Sequence, residues 1–423
     1  METQVMVERA RLLHSQARIV EAISELKQVL AIEPRNGEAL SLYARCLLDK
    51  GEYDEGLKML DSAISVDPYN SYFFYLKGFA FYRKNENTQA IRWLKESISI
   101  EPYRSPAYGL LAIVHIEEKD FREGLKKADE GLAVDASDVI CLNARSMALN
   151  KLRQTDAAIA TMKEALAQDP DNEFTHTTFG WNLLEKGRHK EARVHFREAL
   201  RIDPGYANAQ SGLKESLKSQ IPPYRWLLQY GFWISNKGKK AGWVIPLLIW
   251  VVVRIIHTSF SSNESTSIIG AFIVGIYLVF VVATWIINPV ANFFLLFHKD
   301  GKYALNATEK WTAITVVSSL LAGLCFLLAG WLSPSSTDEI PPLYMIAFSF
   351  LLMAVPLGDV RYPLAWRGNG TSNAIAMVLV SLALLTVFTA LPFPSFALVT
   401  GSTFLILFVL NNWFGLFKAI RRR

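Results

Sequence analysis

The sequence predicts an all-α protein in which a superhelical solenoid of helical repeats precedes a six-helix transmembrane bundle. Three observations lead to this fold class. A 34-residue pattern recurs six times up to residue 206, and the balance of charge then reverses near residue 220. Six apolar segments follow, each close to the ~20 residues that cross a bilayer as a helix.

The first half of the chain divides into six windows of 34 residues without an insertion: 3–36, 37–70, 71–104, 105–138, 139–172 and 173–206. The eighth place of each window holds a small residue: Ala10, Ala44, Gly78, Ala112, Ser146 and Gly180. The twentieth place does the same: Ala22, Gly56, Ala90, Gly124, Ala158 and Ala192. Small residues at these spacings predict pairs of helices, A and B, that approach each other closely.

This pattern, which has a proline late in five windows and Ala136 in the fourth, resembles the tetratricopeptide repeat (TPR). The resemblance implies a right-handed superhelix whose A helices line a concave groove for protein or peptide segments. Asn85 and Lys119 stand where helix A usually ends at glycine, so we expect looser or longer helices in the third to fifth repeats. The polar first repeat and a solvating helix over 207–218 should cap the solenoid.

The two halves of the chain differ in charge. Residues 1–220 carry 33 acidic and 30 basic residues, a net charge of −3, whereas 221–423 carry 6 acidic and 14 basic residues, a net charge of +8. Because the N-terminus has acids and no apolar run, we expect no secretory signal peptide and a cytoplasmic TPR domain over 1–218. Cys46, Cys141 and Cys325 lack metal-ligand spacing and are expected to be reduced core residues.

Residues 219–240 form a joint rich in aromatic residues and lysines. This composition favours an interfacial segment at the membrane surface over an ordinary linker packed on the last repeat. The transmembrane domain is predicted over 241–423, with spans at about 242–260, 267–290, 311–333, 342–358, 374–392 and 395–417. Of the 14 basic residues after residue 220, 13 fall on one side if both termini are cytoplasmic. We expect a multi-pass protein of a bacterial inner membrane.

The concave groove should be lined by the second, fifth, ninth, twelfth and thirteenth places of the windows. The candidate groove residues are Arg45, Tyr72, Tyr75, Phe79, Tyr82, Arg83, Asn143, Met147, Asn150, Phe174 and Trp181. Aromatic residues and arginine carry most of the energy in protein interfaces, which is consistent with a partner groove in which Arg45 and Arg83 select acidic character. The same aromatic stripe is also typical of a packed core, so both interpretations stay open here.

Arg254 is the charged residue placed inside a predicted span. Because a charged side chain is unfavourable in hydrocarbon, Arg254 is a candidate for binding or gating. It could instead extend to the outer surface towards Glu264 or Asp338. Asn288, Asn292, Asn411 and Asn412 fit hydrogen bonds between helices or a polar pocket. No serine–histidine pair of a rhomboid-type protease, metal motif or nucleotide fingerprint is found in the sequence, so we expect no catalytic residue, cofactor, metal or nucleic-acid partner.

These features predict a membrane-anchored scaffold that presents a cytoplasmic TPR groove to protein or peptide segments and contacts the lipid bilayer through its second half. The alternative is a subunit of a channel, transporter or assembly machine, in which the bundle performs the function and the repeats recruit partners. The scarcity of acidic residues in the spans argues against ion-coupled transport.

Overall fold

The helices of the first half recur at the predicted 34-residue spacing. The computed structural model describes residues 2–237, 241–260, 264–299, 301–333, 341–360 and 370–421. Helices α1 to α13 are, in order, Glu2–Ser15, Ile19–Ile32, Gly37–Lys50, Tyr53–Val66, Ser71–Arg83, Asn87–Ile100, Ser105–Glu117, Phe121–Val134, Val139–Lys151, Thr155–Gln168, Glu173–Glu185, His189–Ile202 and Ala207–Lys218. The all-α prediction with solenoid-like repeats is therefore confirmed over these ranges, which contain no strand.

The remaining helices belong to the second half of the chain. Helices α14 to α21 are Pro222–Ser235, Ala241–Phe260, Glu264–Leu296, Gly301–Ala304, Ala307–Leu332, Pro342–Asp359, Gly370–Thr389 and Pro394–Arg421. The chain divides into two compact units, the first made of 1–182 with 198–204 and the second of 183–197 with 205–423. The predicted domain boundaries at residues 218 and 240 stay predictions.

Small residues let helices A and B of a repeat meet, as the sequence indicates. Ala10, Ala22, Ala44 and Ala90 are fully buried. A Cβ atom added to Gly78 on α5 would lie 2.7 Å from Cγ of Leu94 on α6, which is closer than carbon atoms pack. The size of the side chain at these places therefore sets the distance between the paired helices.

The expectation of looser or longer A helices in the third to fifth repeats is wrong. Helices α5, α7 and α9 have 13 residues each, and α3 has 14. Each A helix is followed within two residues by a residue with positive φ, at a constant spacing of 34: Ala17 (58°), Gly51 (82°), Asn85 (60°), Lys119 (66°), Arg153 (65°) and Gly187 (78°). The closing hydrogen bonds at Asn85 match those at Gly51, so the turn keeps its geometry whichever residue occupies it.

Ala17→Gly is expected to stabilise the first repeat by up to about 1 kcal/mol, because alanine is strained in the left-handed conformation and glycine is not. Asn85→Gly should have a smaller effect, since asparagine tolerates this conformation. Gly51→Ala is the matched control and should destabilise the second repeat. Hydrogen exchange of the flanking helices measures all three changes, and equal protection in the three variants would contradict this account.

In the second unit, helices α16, α18, α19, α20 and α21 pack together, and α15 packs against α16. Their core contains Met353, Leu379, Ala383, Phe404 and Phe408. Among the described residues, four segments are long and apolar enough to cross a membrane: 268–296, 307–332, 342–359 and 394–411. A shorter apolar helix covers 373–389. The predicted six-helix transmembrane bundle therefore stays a proposal. Arg361, Arg367, Arg422 and Arg423, used for the predicted topology, lie outside the described residues.

Helix α13 differs from the solvating cap that the sequence predicts. Its Leu217 is buried with Leu295 at the end of α16 and with Leu305. Lys214 Nζ lies 2.8 Å from Oε1 of Glu309, and Glu309 also closes the capping box of α18 with Asn306. Lys214 and Leu217 are three residues apart and therefore lie on one face of the helix. This face makes α13 a docking element of the second unit.

A buried polar cluster lies beside these contacts. Lys218 is only 4% exposed, and its Nζ lies 3.2 Å from both Oε1 of Glu215 and Oδ1 of Asn288. The hydroxyl of Tyr224 on α14 donates to Glu215, is 3.0 Å from the same Asn288 oxygen and is itself buried. Burial and the Glu215 carboxylate raise the pKa of Tyr224. Asn288 thus makes hydrogen bonds between helices, one of the two roles that the sequence suggests.

Candidate peptide groove

The A helices of the second to fourth repeats bring aromatic and arginine side chains together in the first unit. The rings of Tyr72 and Tyr75 on α5 are stacked with centroids 6.1 Å apart. The guanidinium of Arg104 lies 5.6 Å from the Tyr72 ring centroid and pairs with Glu101 at 2.7 Å. Burial raises the pKa of Tyr75, so its hydroxyl stays neutral at ordinary pH and can donate or accept a hydrogen bond.

Two arginine side chains lie beside the ring of Phe79. The guanidinium carbon of Arg45 on α3 is 5.1 Å from the Phe79 ring centroid, and that of Arg83 is 5.7 Å away. Arg45 is held by Asp49, whose Oδ2 lies 3.3 Å from its Nε and 2.8 Å from Nε2 of His14 on α1. Cation–π contacts of this kind keep both guanidinium groups beside the ring with N–H donors to spare. We call Arg45, Phe79 and Arg83 the arginine–phenylalanine clamp.

A cavity of about 340 Å³ lies at the N-terminal end of α5. Its lining residues are Arg11, Glu38, Ser41, Leu42, Asn70, Tyr72 and Phe73. Arg11 pairs with Glu38, and Asn70 caps α5 by accepting from the Tyr72 backbone N–H at 3.2 Å. The cavity therefore combines an apolar wall with one cation and several hydrogen-bonding groups, the mixture typical of small binding pockets.

The candidates of the fifth and sixth repeats have different surroundings. Asn143 is completely buried, and its Nδ2 donates to Val139 O and to Thr175 Oγ1, both at 2.8 Å. Asn150 is 3% exposed. Met147 and Phe174 pack against the core around Ala144 and Ala148. Trp181 is half-buried on α11. The structure thus brings Arg45, Tyr72, Tyr75, Phe79 and Arg83 together. Met147 and Phe174 instead belong to a cluster with Tyr82.

Tyr82 donates from its hydroxyl to Oε1 of Glu117 on α7 at 2.9 Å, and so joins the third repeat to the fourth. His14, Asp49 and Glu38 are site residues that sequence reasoning missed. Their 34-residue windows place them at the twelfth, thirteenth and second positions, which are groove positions. The window arithmetic could therefore have identified them, although it does not show which charges pair.

Arg254 lies exposed on α15. Its proposed partner Asp338 and the side chain of Glu264 fall outside the described residues, so the outward-reaching role stays a prediction. Among described residues no group of three His, Cys, Asp or Glu residues could hold a metal. Cys46 and Cys141 are buried, burial raises the pKa of Cys46 to about 11, and Cys325 is exposed on α18. Neither buried thiol has the lowered pKa of a reactive cysteine.

Comparison with family models identifies the repeats. One tetratricopeptide-repeat model matches residues 13–78, and a second matches 141–172 and 175–206. The residues that these models match are tetratricopeptide repeats. No family model matches the rest of the chain, and no curated protein sequence matches the chain. TPR proteins bind protein or peptide partners and are generally scaffolds without enzymatic activity, so the repeats indicate a role in protein interaction.

Several solved structures match part of the chain. The APC/C hetero-tetramer Cut9-Hcn1 is 19% identical with a TM-score of 0.45, and the match covers 51% of this chain but only 43% of that one. A TPR protein of Parabacteroides merdae is 15% identical, with a TM-score of 0.41 and coverage of 56% and 94%. Pseudomonas aeruginosa pilF is 16% identical, with a TM-score of 0.39 and coverage of 49% and 95%.

Proposed function

We propose that this protein is a membrane-anchored scaffold whose TPR groove binds an extended or helical peptide of acidic character. The observation that carries the proposal is the arginine–phenylalanine clamp, next to the stacked Tyr72–Tyr75 pair. Arg83 is exposed, whereas Arg45 and Phe79 are partly exposed. Carboxylates of a partner could therefore reach the guanidinium groups while its apolar side chains cover the rings.

Selectivity for acidic peptides follows from the way in which the arginines are held. Arg45 shares Asp49 with His14, and its planar guanidinium retains donors that a partner carboxylate can use. A basic peptide would place like charges beside two cations and would leave them unpaired. The clamp should thus reject basic sequences as well as favour acidic ones.

The membrane part of the proposal is supported by the surface of the second unit. Large apolar side chains on its outer face are exposed, such as Ile268, Phe272, Val279, Trp331, Leu332 and Phe388. An apolar surface of this extent is unusual on a protein in water and is typical of lipid-facing helices. The interior of the bundle is filled by Met353, Leu379 and Phe404, which favours an anchor over a conducting pore. The protein is proposed to lie in a bacterial inner membrane with both termini cytoplasmic.

Selection from a library of extended peptides on the full-length protein in nanodiscs tests the groove. We expect enriched peptides to carry several acidic residues with an aromatic or aliphatic neighbour. Arg45→Gln and Arg83→Gln should each weaken binding of those peptides by roughly ten-fold, the effect of a moderate interface hot spot. The matched control is Arg92→Gln, because Arg92 lies over the Trp93 ring on helix α6 and not in the groove.

Enrichment without acidic preference would contradict the proposed specificity. Equal binding by the two clamp variants and the wild type would remove the clamp from the site. The circular-dichroism spectrum of each variant should be unchanged, since both arginines lie at the surface of the repeats and not in their core.

A further inference from the structure

Helix α14 contacts other parts of the second unit in three directions. Tyr224 enters the polar cluster with Glu215 and Asn288. Gln229 and Asn236 lie about 120–140° around the helix from Tyr224, counted at 100° per residue. Gln229 donates to Leu184 O at 2.9 Å, and Asn236 donates to Glu185. A third direction is taken by Tyr230, whose ring lies edge-on to Phe280 of α16 at 5.5 Å. These contacts fix the rotation of α14 about its axis.

Two indole rings and a cation lie on the side of α14 between the directions of Gln229 and Tyr230. Trp226 is 73% exposed and Trp233 is 41% exposed, and they are seven residues apart, so they share one face of the helix. The ammonium of Lys237 lies 5.6 Å from the Trp233 ring centroid, and the ring of Tyr230 stacks with the same indole at a centroid distance of 6.1 Å. We call Trp226, Trp233 and Lys237 the indole–lysine face.

The charges in the surrounding sequence indicate what kind of surface this face binds. No acidic residue occurs between Glu215 and Glu264 in the sequence, whereas Lys218, Arg225, Lys237 and Arg254 fall in the same range. The face is also continuous in the chain with α15, where Leu248, Trp250 and Ile255 are exposed. Tryptophan beside lysine at the end of an apolar helix is the pattern of a membrane–water interface on the cytoplasmic side.

We propose that the indole–lysine face of α14 docks on anionic phospholipid headgroups. The indoles lie among the headgroups with their rings towards the acyl chains, and Lys237 pairs with lipid phosphate. The proposal rests on the membrane location of the second unit. Because the adjoining side of α14 hydrogen-bonds Leu184 and Glu185, docking would also hold the end of the sixth A helix near the lipid surface.

Hydrogen exchange of the full-length protein tests this docking in two kinds of vesicle, phosphatidylcholine alone and phosphatidylcholine mixed with phosphatidylglycerol. We expect the amides of 222–237 to exchange several-fold more slowly in the anionic vesicles, and high salt should remove the difference. Lys237→Gln should reduce the protection about five-fold, because this factor corresponds to the binding free energy that one cation contributes at an anionic surface. Trp226→Ser combined with Trp233→Ser should reduce it in both kinds of vesicle.

The control variants are Lys163→Gln on the surface of α10 and Trp331→Ser at the far end of α18, which should leave exchange of 222–237 unchanged. Equal exchange in neutral and anionic vesicles, or protection that survives in Lys237→Gln, would overturn the proposal. Protection that appears only after cytosolic protein is added would assign the face to a protein partner instead. If the protein inserted into neither kind of vesicle, the proposed membrane location would be contradicted. Loss of peptide binding would contradict only the proposed groove and not the docking of α14.

Discussion

Truncation of Phe196 to alanine is expected to be among the most damaging single changes to this protein. Phe196 on α12 is completely buried and is among the largest side chains with no exposed surface. Its ring occupies the space above Gly212 of α13, where an added Cβ atom would lie 2.1 Å from Cε1 and 2.4 Å from Cζ. Loss of this ring should cost about 3–5 kcal/mol, the transfer free energy plus the cavity that remains.

A double-mutant cycle separates this packing from a general loss of apolar surface. Gly212→Ala alone should cost about 1–3 kcal/mol, because the new methyl group overlaps the ring. In a Phe196→Leu background the same substitution should cost much less, since the leucine leaves space for the methyl group. Hydrogen exchange of α12 and α13 in the intact protein gives the local opening free energies. Additive costs would show that the ring and the glycine do not share this space.

Cysteine labelling at the two ends of α18 is expected to give an all-or-none result. Helix α18 has 26 residues, about 39 Å at 1.5 Å per residue, which exceeds the hydrocarbon thickness of a bilayer. Ala307→Cys and Ser333→Cys place single exposed thiols at its ends, in a background in which Cys46, Cys141 and Cys325 are replaced by serine. An impermeant maleimide should label Ser333→Cys in intact cells and Ala307→Cys only after permeabilisation.

The direction of labelling follows from the proposed cytoplasmic location of the repeats. Glu309 near the start of α18 pairs with Lys214 of α13, so in the proposed topology this end of the helix is on the same side of the membrane as α13. Labelling of Ala307→Cys from outside intact cells would invert the proposed topology. Labelling of both thiols from one side would contradict a membrane-spanning α18. Detection of the unlabelled protein in the membrane fraction is the control.

Helices α13 and α14 both belong to the second unit, whereas the proposed peptide groove belongs to the first. Breaking the polar cluster of Glu215, Lys218 and Asn288 would leave a buried charge without a partner, which is costly in a protein interior. Loss of the cluster is therefore a defect of the second unit, whereas the proposed peptide binding at the arginine–phenylalanine clamp would report on the first unit. The two proposals can be tested separately in the same chain.

The sequence by itself determined the repeat period, the A and B helices and the positions of the apolar helices. Each of these depends on side-chain size or polarity at a constant spacing, as with Ala44 opposite helix B or the apolar run of α16, and such properties can be read without coordinates. The candidate groove residues followed from the position of each residue in its 34-residue window. Arg45 and Phe79 both stand at the ninth place, in neighbouring windows.

Tertiary structure alone decided how those positions are used. Local preference would not put Ala17 or Arg153 in the left-handed conformation, but the packed helix pair imposes the same turn on each repeat. Asn143 and Arg45 lie on A helices of the same pattern, yet packing buries the first completely and leaves the second beside Phe79. Likewise, the polarity of α13 predicts a solvating helix, whereas its Leu217 and Lys218 bury against residues much later in the chain. Burial and pairing depend on contacts between distant residues, and a local pattern does not contain that information.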